Sequence, residues 1–319
     1  MGKGNRKENP FPFADNNKRY YTYDYFMKQR FGGKTAKLPI DAGFTCPNID
    51  GSKGRGGCIY CSCRGLEGRG ESVSRQIAEA KAVMDRKWDR QMRVKRYIAY
   101  FQMFTNTYAP LDTLKRLYEE ALCQENVVGI SIATRADCLP EETAAYLRRL
   151  GEQTFVTVEL GLQTAHEQTA RLINRCHSYR EFLDGFHRLE GISRCVHLIN
   201  GLPGETREMM LETAERMAEL HPEQLKLHML YVVRGTAMER LYRAGEAELM
   251  SREEYISLVV AQLERLPSDI VIGRLTGDAQ EDELAAPLWG KDKRAVLNGI
   301  DKTFAKWETW QGKLYNIDK

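Results

Sequence analysis

Three thiols stand near the amino end of this 319-residue chain. Cys46, Cys58 and Cys61 fall within Asp41-Ala-Gly-Phe-Thr-Cys46-Pro-Asn-Ile-Asp-Gly-Ser-Lys-Gly-Arg-Gly-Gly-Cys58-Ile-Tyr-Cys61-Ser-Cys63. A Cys-x2-Cys pair brings two sulfurs to one centre, and Cys46 arrives across a glycine-rich gap of eleven residues. Three soft thiolates suit an iron–sulfur cluster better than a hard cation. A cubane cluster held by three cysteines keeps one iron open to a further ligand. The competing reading is a structural zinc on Cys46, Cys58, Cys61 and Cys63 in a non-enzymatic binding module. Zinc explains none of the sequence motifs that follow.

The elements that must position these sulfurs alternate downstream. Arg96 to Gln102 reads as a strand, Leu111 to Cys123 as a helix, and Val127 to Ala133 as a buried strand. A helix follows over Pro140 to Leu150, then a strand over Thr154 to Leu160 and a helical pair over Ala165 to Leu189, broken near His177 and Ser178. Arg194 to Ile199 is a strand, and Thr206 caps a helix that runs to Leu220. Gln224 to Val233 reads as one long strand. Helices begin at Thr236 and at Ser251, the second with a capping box to Glu254, and Asp269 to Ile272 is a last strand. Lys291 to Trp310 is a basic amphipathic helix. This alternation implies a parallel sheet with right-handed crossovers, and six or seven such units suit an incomplete barrel with its chemistry at the carboxyl ends of the strands.

Hydrophobic residues make up 42 % and charged residues 29 %, with a net charge of +3, so a sizeable core is available and local basic patches matter more than the total. Met1 to Tyr25 is polar and aromatic, without the apolar stretch of a signal peptide, and no later segment is apolar for long enough to span a bilayer. The expectation is a cytoplasmic protein, without membrane contact, whose eight cysteines are thiols or metal ligands. Cys123, Cys138, Cys176 and Cys195 form no second cluster motif and read as plain thiols.

The chain resembles radical S-adenosylmethionine (SAM) enzymes. Their usual Cys-x3-Cys-x2-Cys is replaced here by the longer gap, which is similar to that of a bacterial subgroup, the YtqA/YhcC type, related to the radical half of the elongator catalytic subunit. The likeness runs through Ile40 to Asn48, Lys53 to Cys58, Tyr100 to Tyr108, Thr134 to Cys138, Glu159 to Gln163, Asn174 to His177, Gly201 to Thr206, Arg234 to Thr236 and Trp310 to Lys313. It implies an α/β fold, a partial (β/α)6 barrel of the TIM type over residues 31–280, flanked by a basic, aromatic extension at 1–30 and a helical extension at 281–319. It also implies a [4Fe–4S] cluster on Cys46, Cys58 and Cys61, with SAM on the open iron. One electron through the cluster would then yield a 5′-deoxyadenosyl radical that takes a hydrogen atom from substrate. The matching positions implied for SAM are Tyr60 against cluster and adenine, Gln102 and Thr105 near the methionine amino group, Gln163 at the nucleoside, Arg175 as a two-pronged hold on the carboxylate, and His197 and Ile199 at the ribose and adenine. The carboxylate that elongator-type relatives place before Thr-Arg is Ala133 here. Arg135 and Asp137 remain, to pair with each other or to face substrate.

The same resemblance implies a tRNA substrate, with chemistry on the C5 substituent of the wobble uridine that takes carboxymethylaminomethyl towards aminomethyl. A flavodoxin- or ferredoxin-type electron donor and a downstream methyltransferase are the implied partners. The residues themselves offer basic side chains beside aromatic ones: Lys3, Arg6, Lys7, Lys18 and Arg19 among Tyr20, Tyr21, Tyr23 and Tyr25. Arg86, Lys87, Arg90, Arg93, Lys95 and Arg96 form a second group, and Lys291, Lys293, Arg294, Lys302, Lys306 and Lys313 a third. Each also reads as an ordinary solvated face. Radical chemistry on a small molecule or a protein is the other enzymatic alternative.

Overall fold

A computed structural model of the chain describes residues 9–62, 71–87, 96–277 and 282–315. Seven parallel strands form one curved sheet in the order β1-β2-β3-β4-β5-β6-β8. They are β1 (Thr35–Ile40), β2 (Arg96–Phe101), β3 (Val127–Thr134), β4 (Phe155–Gln163), β5 (Ser193–Asn200), β6 (Gln224–Met229) and β8 (Val271–Arg274). Helices α2 (Val73–Lys87), α3 (Leu111–Leu122), α4 (Glu141–Gln153), α6 (Tyr179–Arg188), α7 (Arg207–Leu220) and α9 (Arg252–Arg265) connect the strands, with short α5 (Glu167–Leu172) and α8 (Ala237–Arg243) at the carboxyl-end rim. Each strand alternates in its burial partners. Leu160, Val196, Leu198, Leu225 and Leu227 pack outward with Phe182, Met217, Val259 and Leu263 of the helices in one apolar core. The caps read from the sequence are present: Thr206 accepts from the Met209 amide, and Ser251 forms its reciprocal box with Glu254.

The long strand expected over 224–233 is broken. Leu230 still holds the ladder to β5, its amide on the Asn200 carbonyl at 2.8 Å, and beyond it β7 (Val232–Val233) pairs antiparallel with β9 (Leu284–Ala286) in a separate two-stranded ribbon. Charged and polar residues on one face of β6 meet the barrel interior, and the chain must leave that wall to reach the rim.

The described part of the amino-terminal segment packs against the barrel. Helix α1 (Tyr23–Phe31) lies across its base, where Met27, Tyr23, Phe26 and Phe31 pack with Ile98 and Phe155. Residues before it run along the open edge: the Ile272 amide donates to Tyr21 O at 2.7 Å and Gln311 N to Arg19 O at 2.9 Å. This changes the reading of the first basic group. Lys18 is paired with Asp301 at 2.5 Å, and Arg19 donates to the carbonyls of Phe304 and Thr309 at the end of α10 (Lys293–Lys306). Tyr20 is buried against Phe304, and Tyr21 stacks on Phe13. These side chains tie two ends of the chain together. Lys3, Arg6, Lys7, Arg90, Arg93 and Lys95 lie outside the described residues.

Candidate functional site

The eleven-residue gap folds back on itself. After β1, amides of Ile49 and Asp50 close on the Cys46 carbonyl at 2.8 and 3.0 Å, Lys53 and Gly54 close on Pro47, and Asp50 bridges Arg55. Gly56 and Gly57 then return the chain at positive φ, and a turn with Cys61 N on Cys58 O (2.9 Å) presents the pair. Gly54 has no alternative: a Cβ there would lie 2.1 Å from Asn48 Oδ1 and 2.8 Å from Cys176 Sγ. The insertion thus lengthens the path between Cys46 and Cys58 while all three cysteines still line one cavity of about 210 Å³.

Neighbouring elements hold this loop from three sides. Buried Asn48 donates to the Asn174 carbonyl at 2.5 Å and points the same nitrogen at Cys58 Sγ, 3.6 Å away. Asn174 returns bonds to the carbonyls of Gly57 (2.8 Å) and Arg55 (3.3 Å). Lys53 reaches Asp137 at 2.6 Å and Glu181 at 3.0 Å, joining the loop to the end of β3 and the start of α6. Arg135 grips Asp137 with two bonds of 2.9 Å and also donates to the carbonyls of Arg175 and Cys176. The alternatives left open for Arg135 and Asp137 resolve as a pair.

The same cavity is lined by Tyr60, Phe104, Thr105, Arg135, Glu159, Gln163, Arg175, His177 and His197. Thr105 is fully buried and its Oγ1 has no hydrogen-bond partner among the described residues. Tyr60 hydrogen-bonds Cys58 through its hydroxyl, and burial together with the two cysteines raises its pKa well above the usual phenol value. Phe104, Gln163, Asn174 and Cys176 all hold positive φ although none is glycine. Such backbone strain concentrates at functional sites. Gln163 turns its amide, with nitrogen assigned from the hydrogen bonds, onto the carbonyls of Gly161 and Leu162. Gln102 and Ile199 do not line the cavity; Ile199 joins the small apolar cluster that also receives Ile59 and Tyr60. Cys63 lies outside the described residues.

Arg175 departs from its expected task. Its guanidinium is buried and donates to His177 O through Nε (3.0 Å) and Nη2 (2.9 Å), and to Leu162 O and Thr164 O through Nη1 (2.5 and 2.6 Å). Four of five donors are therefore committed to backbone carbonyls. The two-pronged hold on a carboxylate is not available. Arg175 instead fixes the turn after β4 in the shape that carries Gln163.

Beneath the cysteines lies a polar layer with one side chain from each of six successive strands. Glu159 is its centre. The carboxylate accepts from Lys37 (2.6 Å), Ser131 (2.6 Å), Tyr100 (2.8 Å), His197 (2.8 Å) and Lys226. Burial alone would raise the pKa of Glu159, but Lys226, Lys37 and the bond from His197 carry it well below the ordinary range. Glu159, Cys195 and His197 place ligand atoms within 4.8 Å of one another, yet the two ammonium groups already occupy the carboxylate, so this trio is an ion-pair network. Burial pushes the Cys195 and Cys138 thiols up to about 12, which leaves both as inert neutral groups.

The buried histidines predict acid sensitivity. Burial, reinforced by Arg175 for His177 and by Lys226 for His197, lowers their pKa to about 3 and about 4; burial also takes His228 well below its usual value. An unfolded histidine titrates near 6.5, so the unfolded chain binds more protons between that pH and about 4. Stability accordingly falls as pH drops through this window, by about 1.4 kcal/mol per pH unit for each histidine. Urea midpoints measured from pH 7.5 to 4.5 should decline steeply, and His177→Gln should flatten the slope. A midpoint independent of pH would contradict the burial of these rings.

Sequence reading missed Asn48, His177, Lys37, Glu159 and Lys226 as functional candidates. The signal for the last three was present: each is a lone charge within Ala-Lys-Leu, Val-Glu-Leu or Leu-Lys-Leu of a buried strand. His177, 7 % exposed with neither ring nitrogen hydrogen-bonded among the described residues, left no such trace.

The donor set fits a three-cysteine iron–sulfur cluster. Three cysteines line one cavity, an amide and a phenol address Cys58, and Thr105 and His177, whose buried hydroxyl and imidazole lack hydrogen-bond partners among the described residues, line the same cavity. Burial holds the Cys58 thiol at about 11, so metal loading must displace a proton there.

Comparison with known proteins agrees with this chemistry. A sequence profile described as the radical SAM superfamily matches residues 51–217, and one described as the radical SAM C-terminal domain matches 222–306. Protein YtqA of Bacillus subtilis is 42 % identical over 315 residues, 97 % of either chain. Protein YhcC of Escherichia coli K12 is 34 % identical over 282 residues, 86 % of this chain and 89 % of that one. A tRNA uridine(34) acetyltransferase of Methanocaldococcus infernus is 25 % identical over 173 residues, 53 % of this chain and 32 % of the relative. Among solved structures, the archaeal Methanocaldococcus infernus Elp3 lacking residues 1–46 superposes with a TM-score of 0.65 at 16 % identity, covering 89 % of this chain and 67 % of that one, a likeness of fold.

Proposed function

This chain belongs to the radical SAM superfamily, an enzyme family working with a [4Fe–4S] cluster and SAM, and from that membership we propose that it remodels the C5 substituent of the tRNA wobble uridine, taking carboxymethylaminomethyl towards aminomethyl. The observation that carries the reading is the likeness of 173 of its residues, 53 % of its length, to an enzyme named for uridine 34 of tRNA, together with the shared fold. When bound, the cluster and SAM supply the radical that abstracts hydrogen from the substrate. In this proposal Cys46, Cys58 and Cys61 hold the cluster, while Asn48 and Tyr60 steady the Cys58 sulfur. Thr105, Gln163, His177 and His197 offer polar atoms to the nucleoside and methionine parts, and Ile49 and Phe104 keep water from the cavity. A flavodoxin- or ferredoxin-type donor delivers the electron, a methyltransferase acts afterwards, and the work takes place in the cytoplasm. Among the described residues no helix is long and apolar enough to cross a membrane.

Exposed positive charge near the site supports an RNA partner. Lys291, Lys293 and Arg294, at the start of α10, are exposed and line a cavity of about 530 Å³ together with Met229, the last residue of β6. They therefore stand at the carboxyl end of the sheet, where the cysteines open. Changing all three to Glu should weaken tRNA binding by about tenfold or more at low salt and reduce the slope of log K against log salt by roughly 2. Nucleoside mass spectrometry of tRNA from cells lacking the protein tests the reading: carboxymethylaminomethyl uridine should accumulate and its aminomethyl descendants disappear. An unaltered wobble profile would sink it.

A further inference from the structure

The polar layer below the cavity holds more positive than negative charge. Lys37 and Lys226 both bear on one carboxylate, Glu159. His197 and Cys195 beside it are neutral, as is His228, whose ring lies 5.3 Å from that of His197. Burying an uncompensated charge costs several kcal/mol, so the excess needs an occupant of opposite sign.

The hydrogen-bond count makes the same demand. Glu159 accepts from five donors and is saturated. Lys37 spends two of its three ammonium hydrogens, on Glu159 and Ser131. Lys226 spends two, on Glu159 and Tyr100. His228 Nε2 is buried without a hydrogen-bond partner among the described residues. Beyond the Tyr23 and Tyr100 ring faces, which lie 4.8 to 5.0 Å from the two ammonium nitrogens, one hydrogen of each ammonium and one imidazole nitrogen thus have no hydrogen-bonding partner among the described residues. The cysteine cavity reaches the edge of the layer, since Glu159 and His197 line it, and the side chains of His197 and Lys37 keep 19 % and 21 % of their surface exposed.

We propose that this layer is a subsite for a carboxylate carried by the substrate, received by Lys226, Lys37 and His228. The inference rests on the tRNA reading for the identity of that substrate: the carboxymethyl arm is the anionic end of the wobble substituent, and the layer gives a reason why the arm, rather than the unmodified base, is drawn below the cysteines. A backbone phosphate is a less suitable occupant, because it cannot follow a nucleoside arm to the level of Glu159.

Two arms test it on the protein loaded with cluster and SAM. The first compares N-methylglycine with its amide, N-methylglycinamide, by ligand-observed NMR. Wild type should bind the acid about tenfold better than the amide, Lys226→Met should lose that preference, Lys226→Arg should keep it, and Glu159→Gln should strengthen it. Circular dichroism confirms that each variant is folded, and the opposite signs of Lys226→Met and Glu159→Gln separate charge recognition from general damage. The second arm compares anticodon stem-loops carrying carboxymethylaminomethyl, aminomethyl or unmodified uridine. If no stem-loop binds while the acid preference and its dependence on Lys226 persist, the tRNA reading fails and the subsite stands. Equal binding of acid and amide by wild type, or an acid preference unchanged in folded Lys226→Met, overturns the subsite.

Discussion

Replacing any one of Cys46, Cys58 and Cys61 with alanine is expected to abolish activity while the barrel stays folded. All three cysteines line one cavity, in a loop held by Asn48, Lys53 and Asn174 rather than by the sulfurs themselves. The scaffold therefore survives the loss of a ligand, and the chemistry does not, because the cofactor carries it. Bound iron should fall from about four per chain to below about one, with the thermal transition of the metal-free protein shifted by no more than about 1 kcal/mol. Cys138→Ala and Cys195→Ala are the controls: both thiols are neutral and inert, so iron content should be unchanged. Full iron in Cys46→Ala would mean that the long gap does not deliver a ligand.

The second large effect lies at Glu159. Glu159→Leu leaves Lys37 and Lys226 buried without their counterion, and breaking a buried pair in this way costs about 3–5 kcal/mol. For a chain of this size that lowers the melting temperature by roughly 5–10 °C. The triple change Lys37→Met, Glu159→Leu, Lys226→Met removes the whole network and should recover most of the loss, since an apolar replacement of a buried ion pair is often neutral or stabilising. Glu159 lies well below the ordinary carboxylate range in the folded chain, so its contribution is present above that range and is lost as pH falls. Differential scanning calorimetry at pH 7 checks the ordering: wild type and triple variant close together, Glu159→Leu well below. A single variant that melts with wild type would remove the network from the account.

Much of this was readable before the structure, and the exceptions share a cause. The alternation of strands and helices was legible because outward positions such as Leu225, Leu227, Val259 and Leu263 follow regular periods. The cysteine spacing announced the chemistry, though not how eleven residues could be accommodated; that depended on turns at Pro47 and on Gly54, Gly56 and Gly57. What periodicity does not report is the partner of an inward-facing group. Arg175 suited a carboxylate by its chemistry, but local carbonyls of the turn after β4 took its donors. Lys18 and Arg19 suited RNA by their charge, but tie the amino-terminal segment to α10. The Glu159 layer needed six strands in register before its members could meet, and the break at Leu230 follows from leaving that register.

The most direct test of the central claim is conversion in a purified system. Wobble-modified tRNA isolated from cells lacking the protein would be incubated anaerobically with the cluster-loaded enzyme, SAM and a reductant, and both nucleosides and SAM products measured by mass spectrometry. The account predicts that carboxymethylaminomethyl uridine is consumed in step with 5′-deoxyadenosine formation, and that neither occurs with Cys58→Ala. Cleavage of SAM with the wobble nucleoside unchanged, or a colourless protein holding a single zinc, would contradict it.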